Sequence, residues 1–454
     1  MRRFLPFACV FLLIQPMQFA NAQDCDSAYV DFSSEGEVKI EPTLVDDAEN
    51  IQCAVDEAIQ LGKAKISLQK GEFLLGASIS FVGFTGEFSG LSKASTIVKT
   101  IPASWGCSNG GDSDTQEQLF RVANGSVQFK TMSVVADDPC IEGSSSASWK
   151  AIDISPIYPS CDERVSFSSI DRVDLTLNAT VYGRYTAIHA GKNRRCEDSL
   201  LGTLKINRST IQGWDRGVNT EMVSGAQVDV NYSDFIANIY GVRIYNANQL
   251  SSIQRNRFFL KPPDHKSGVR PHGIGFFGEG DNAPKQNVLS IANNRFYDEV
   301  PTGHELRLSY EYTTKSAGIS VSIVGNRFED GVEGLDRDGM ANISINNIDA
   351  GFIAKNTFLE NAYMNILLWG RAGDADSADS WAIVDNNYAG PNGGIRLAEL
   401  TKNNIVGTPY VKDKIEEDSI NSKILNDISK KNLDDEVIKT EKNDLDKEIK
   451  DIFK

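Results

Sequence analysis

After residue 22 the sequence has no apolar run approaching the roughly 20 residues that a membrane-spanning helix needs, so no membrane span is expected. It has no C-x-x-C pair, the spacing that zinc sites favour, and thiolate metal binding is disfavoured. No basic cluster offsets the formal net charge of −16, which would repel phosphates and argues against nucleic acid as a partner. Helical periodicity is scarce, and that excludes repeats built of paired helices.

What the sequence does have is a returning phrase: an apolar strand, then Asn, then Phe two residues on. It reads Ser252-Ile253-Gln254-Arg255-Asn256-Arg257-Phe258, Ser290-Ile291-Ala292-Asn293-Asn294-Arg295-Phe296 and Ser322-Ile323-Val324-Gly325-Asn326-Arg327-Phe328, and it continues at Asn356-Thr357-Phe358 and Asn386-Asn387-Tyr388. A second phrase, glycine followed by alternating apolar residues, lies at Gly217-Val218, Gly241-Val242, Gly273-Ile274, Gly334-Leu335 and Gly394-Ile395. Glu305-Leu306 and Asn365-Ile366 fill its other slots. The period is about thirty residues, in the range of stacked repeats. Period-two alternation makes each unit one coil of short strands, and the chain an all-β, single-stranded right-handed parallel β-helix. Asn suits the bend, because it tolerates the left-handed conformation and its amide can bond to the Asn one coil on.

The phrases N-x-F and G-I-x-L resemble the right-handed β-helix superfamily that includes pectate lyases, polygalacturonases and alginate-acting enzymes, over roughly residues 45–410. The start is similar as well. Asp46 or Asp47 caps a helix with apolar positions Ile51, Ala54, Val55, Ala58 and Ile59, ended by Gly62, and this helix plugs the open end of the coil.

Residues 1–22 read as a secretory signal peptide, with Arg2-Arg3, an apolar core and Ala20-Asn21-Ala22 before the cleavage point, so a secreted or periplasmic protein is expected. The β-helix domain spans 23–410. Its six cysteines, taken in successive pairs, stand 28, 33 and 35 residues apart, about one coil each, which favours Cys25–Cys53, Cys107–Cys140 and Cys161–Cys196 as disulfides. From 411 to 454 the chain has ten Lys, thirteen Asp or Glu and no Gly. Two readings stay open for this tail: a solvated helical or disordered extension, or a coiled coil through which the chain would oligomerise.

Strand alternation turns every second residue outward. One outward column then reads Arg121, Asp153, His189, Asn219, Arg243, Gly275, Arg307, Asp336, Leu367 and Arg396; its neighbour includes Glu221, Tyr245, Phe277, Asp338 and Trp369. Guanidiniums for carboxylates and aromatic faces for sugar rings fit an acidic polysaccharide. In the enzymes resembled, this face carries the active site. The resemblance therefore implies a polysaccharide lyase, with Arg307 as base, Asp336 and Asp338 holding Ca²⁺, and His272 as an acid or base. Asp153, His189, Glu221, Arg243, Tyr245, Phe277, Trp369 and Arg396 would bind substrate. The polygalacturonase set of N-T-D, D-D, G-H-G and R-I-K is absent and no pectate-lyase signature is intact. A glycoside hydrolase or epimerase, and a non-catalytic adhesin or saccharide-binding protein, are the alternatives.

Overall fold

The residue before each Asn of the repeated phrase makes the bend. Arg255, Asn293, Gly325, Lys355 and Asp385 all take left-handed backbone conformations, with φ of 58°, 56°, 67°, 55° and 55°. This corrects the expectation that the repeated Asn itself bends. The bending residue turns its side chain to solvent, so Arg, Lys and Asp are accepted there at a cost of roughly 1–2 kcal/mol each. The following Asn is buried and uses its amide instead. Asn256, Asn294, Asn326, Asn356 and Asn386 form a ladder in which each Nδ2 donates to the next Oδ1 at 3.0 Å, and that Oδ1 also accepts the backbone N–H of the previous Asn at 2.9–3.0 Å. Behind the ladder, Phe235, Phe258, Phe296, Phe328, Phe358 and Tyr388 stack face to face at 4.8–5.2 Å.

These ladders belong to a right-handed parallel β-helix, seen in a computed structural model that describes residues 25–105, 107, 117–140, 148–155, 165–180, 183–191, 201–221, 227–245, 251–266, 268–279, 287–298, 304–311, 319–330, 341–348, 350–359, 364–369, 378–388, 394–398, 401–407, 415–417 and 423–424. Among the described residues, twenty-four strands form one large sheet and twelve a smaller one. Pairing is parallel from coil to coil, apart from the antiparallel Val30–Asp31 and Glu37–Ile40 at the start. Parallel crossovers are right-handed in nearly all proteins. The long strands Ser126–Asp137 and Val165–Asn178 bend through Thr131 and Arg172 at positive φ and join the two ladders of the large sheet.

In the smaller sheet the inward residues stack as the alternation requires. Val242, Ile274, Leu306, Ile343, Ile366 and Ile395 form one column, and Ile244, Phe276, Leu308, Ile345, Leu368 and Leu397 the next. All are buried. One coil differs from the expected register. The strand between Leu306 and Ile366 is Ala341–Asn346, not Gly334-Leu335-Asp336. Placing Leu335 inward would also turn Arg337 inward, whereas Asn342-Ile343-Ser344-Ile345 supplies two isoleucines to the stacks.

The helix Ala48–Gln60 closes the first coil, burying Ala48, Ile51, Ala54, Val55 and Ala58. Asp46 Oδ1 accepts the Ala48 N–H at 3.0 Å, while Asp47 accepts from Thr43 and Leu74 and so ties the helix start to the coil. Gly62, at φ 64°, ends it. Lys63 then caps three carbonyls, of Phe32, Ser34 and Glu37. Disulfides join Cys25 to Cys53 and Cys107 to Cys140; Cys161 and Cys196 lie outside the described residues, as do residues 1–22. Parallel pairing runs past 410, through Ile415–Glu417 and Lys423–Ile424, so one more coil stands beyond the expected boundary. The tail from 425 lies outside the described residues.

Candidate functional site

The outward column of the smaller sheet runs in register through Arg121, Asp153, His189, Asn219, Arg243, Gly275, Arg307, Ser344, Leu367 and Arg396. Nine of its ten members are those read from the sequence. The tenth is corrected: Ser344 holds the slot assigned to Asp336, and Asn346 the one assigned to Asp338, because the coil takes its strand from residues 341–346. Asp336, Asp338 and the side chain of Glu221 lie outside the described residues.

At the centre of the column the side chains converge. Gly275 leaves a gap that the Phe277 ring fills, for a Cβ there would meet the ring at 2.5 Å. Arg243 and Arg307, in register on either side of Gly275, lie over that ring at 5.4 and 5.5 Å. Arg243 also lies over Tyr245 at 5.5 Å and donates through Nη1 to Asn219 Oδ1 at 3.0 Å. Tyr240 meets Phe277 edge to face at 6.0 Å. Further along, Trp369 donates its indole N–H to Ser344 Oγ at 3.1 Å, which lays its ring beside the next slot. Arg243, Tyr245, Phe277, Arg307, Trp369 and Arg396 are all partly exposed. The result is a strip of aromatic faces and forked donors, with the side chains of Ser309, Ser344 and Asn346 buried beneath it.

The N-terminal part of the column is built differently. Asp153 and His189 are buried rather than presented to a ligand. Asp153 Oδ1 accepts from Lys150 Nζ at 3.0 Å and lies 2.6 Å from His189 Nδ1, and Ser155 Oγ donates to Oδ2 at 3.0 Å. Burial would raise the Asp153 carboxyl, but Lys150 and His189 outweigh it and hold the group far below the usual carboxylate range. With its oxygens so occupied, the cluster serves as an internal charge network.

His272 is likewise not an exposed acid or base. Its ring stacks on Tyr240 at 4.7 Å and bonds to the backbone of His304, and burial lowers it to about 4, so it is uncharged at neutral pH. His265, in the excursion before it, reaches back to Asp215 at 2.8 Å, where Lys266 also binds. Among the described residues no group of three or more His, Cys, Asp or Glu could hold a metal ion, and no helix is long and apolar enough to cross a membrane.

Sequence reasoning missed a second outward row. The residue between Asn and Phe in the repeated phrase is Arg257, Arg295 and Arg327 on three successive coils, and the phrase N-R-F was itself the signal.

The fold and strip define the class as a parallel β-helix with an outward cation–aromatic column. No family model matches the sequence, and no curated protein matches it either. Among solved structures the chain is similar to the Dettilon tailspike protein, with 14% identity, 85% of this chain and 68% of that chain covered and a TM-score of 0.40. It is similar to PfbA, a surface adhesin of Streptococcus pneumoniae, with 12% identity, 79% and 91% coverage and a TM-score of 0.38. It is also similar to the catalytic domain of a GH87 alpha-1,3-glucanase in complex with tetrasaccharides, with 10% identity, 80% and 68% coverage and a TM-score of 0.43. Likeness at this level assigns no role to any residue.

Proposed function

We propose that this chain is an exported β-helix protein, akin to the pectate lyase-like group, that binds an acidic polysaccharide along the outward strip of its smaller sheet. The observation that carries the reading is the pair Arg243 and Arg307 bracketing Phe277. Coils lie about 4.8 Å apart, so two guanidiniums separated by one coil stand roughly 10 Å from each other, near the length of a disaccharide. Each can take a carboxylate through two parallel bonds. Export rests on the leader-like start of the sequence and on the disulfides.

Turnover by β-elimination would further need Arg307 to act as a base beside groups that neutralise the uronate carboxylate. The test is to titrate the mature protein with polygalacturonate, alginate, chondroitin sulfate and a neutral glucan by calorimetry, while following absorbance of unsaturated products and release of reducing ends. Saturable binding to the acidic polymers alone supports the reading. New absorbance would restore the lyase, reducing ends alone would indicate a hydrolase, and equal affinity for the neutral glucan would refute recognition of charge.

A further inference from the structure

The large sheet carries its own cationic row on a separate face of the coil. Arg257 pairs in register with Arg295, and Arg295 with Arg327, so three guanidiniums occupy one strand position on consecutive coils. Their side chains are 54%, 47% and 48% exposed. Two positions on, Phe259 and Tyr297 stack at 5.0 Å with nearly parallel rings, and Arg257 and Arg295 lie over them at 5.9 and 4.9 Å.

Two carboxylates flank this row without cancelling it. Asp234 receives both Nε and Nη2 of Arg257 at one end. Glu329 is shared at the other: its Oε1 accepts from Arg295 Nη2 at 2.9 Å and from Arg327 Nε. One oxygen divided between two guanidiniums leaves most of their donors turned to water. Exposed pairs of this kind contribute little to stability, so an incoming anion can replace Glu329 at small cost. In a chain of net charge −16 the long-range field does not recruit anions. The spare donors of Arg295 and Arg327 act at short range, beside an Arg257 held by Asp234.

We propose that Arg257, Arg295 and Arg327, with Phe259 and Tyr297, form a second binding surface for a polyanionic saccharide that carries a charge on every sugar residue, and that the chain thereby bridges two polymer strands. Consecutive coils about 4.8 Å apart match one charge per sugar, whereas the strip of the smaller sheet, with a coil between its arginines, matches one per disaccharide. The choice of a saccharide rests on the function proposed above; the row itself does not.

The experiment uses the full chain with sodium polygalacturonate, charged on every residue, and hyaluronan, charged on every second. Calorimetry reads affinity and light scattering reads cross-linking of polymer strands. The variant Arg257→Gln/Arg295→Gln/Arg327→Gln should bind polygalacturonate about tenfold more weakly, on the scale of one charge-assisted bond, and should no longer cross-link it, while hyaluronan binding persists. Glu329→Gln, which frees two arginines without removing any, should tighten polygalacturonate binding. A triple variant that binds and cross-links as the parent does overturns the proposal, as does a Glu329→Gln protein with unchanged or weaker affinity. If Arg243→Ala/Arg307→Ala binds hyaluronan as the parent does while the triple variant loses polygalacturonate, the strip of the smaller sheet fails and bridging through it is overturned, while this row stands as a binding surface.

Discussion

The ring Nδ1 of His272 lies 2.9 Å from the carbonyl oxygen of His304 and 3.0 Å from its amide nitrogen. His304 repeats the arrangement one coil on, against the backbone of Ala341. Burial disfavours the charged form of both rings, which lowers His272 to about 4 and lowers His304 as well.

A pH dependence follows with a definite sign. The unfolded chain takes up a proton at His272 near 6.5, the folded chain only near about 4. Stability is therefore full above pH 6.5 and falls as pH drops from 6.5 towards 4, by up to about 3 kcal/mol for His272. Chemical denaturation across that window should show the loss, and His272→Asn should shallow it. A parent whose stability is flat over the window would contradict the buried, neutral ring.

The asparagine ladder makes a second prediction. Asn326 accepts the N–H of Asn294 at 2.9 Å and donates to the carbonyl of Ile291 at 2.9 Å. Replacing it with Ala leaves both backbone groups buried and unpaired, at about 1–3 kcal/mol for each. Asn326→Ser should cost less, because Ser233 accepts the N–H of Ser209 at 3.2 Å in the equivalent slot two coils before Asn294. Equal melting temperatures for the Ala and Ser variants would sink the ladder argument.

Much of this was legible because a parallel coil repeats its own geometry. Asn256, Asn294 and Asn326 recur in sequence since each must bond to the next in space, and the Phe stack recurs for the same reason. Gly334-Leu335 misled because the phrase alone does not say which stretch of a coil fills the strand slot; the requirement for two inward apolar residues is met by Ile343 and Ile345. Asp153 and His189 kept their column but not their exposure. Alternation reports which way a side chain leaves the strand, and says nothing about what covers it.

Truncation tests the end of the coil. Deleting 425–454 should leave the protein folded and soluble, as that composition supplies little core. Deleting 411–454 also removes Ile415–Glu417 and Lys423–Ile424, exposing the edges of Ile395–Leu397 and Ile405–Gly407, and open edges promote aggregation. Size-exclusion chromatography of the two truncations should show the shorter one aggregating. If the longer truncation instead turns an oligomer into a monomer, the coiled-coil reading of the tail gains.

Recognition through guanidinium groups requires no bridging cation. Chelator should then leave polysaccharide affinity unchanged in calorimetry. A calcium requirement would instead direct attention to Asp336 and Asp338 as ligands.

The effect of Arg307 on binding can be sized from its surroundings. Its guanidinium lies over Phe277 at 5.5 Å, opposite Arg243, and the ring holds both heads in place without neutralising them. Fields of a chain at −16 fade within roughly 8 Å at physiological salt, so attraction to an anionic polymer is local and rests on such pairs. Arg307→Ala should weaken binding by about 1.5–3 kcal/mol, the scale of a charge-assisted hydrogen bond. Arg307→Lys should recover only part of it, since an ammonium keeps the charge but not the planar fork. The fold should barely change, because the inward neighbours Leu306 and Leu308 carry the packing. Leu308→Ala makes the converse case, costing about 2–5 kcal/mol of stability through the cavity it leaves, with binding per folded molecule retained. Should Arg243→Ala and Arg307→Ala bind uronate polymers as the parent does, the strip is a solvated face and the proposed function falls.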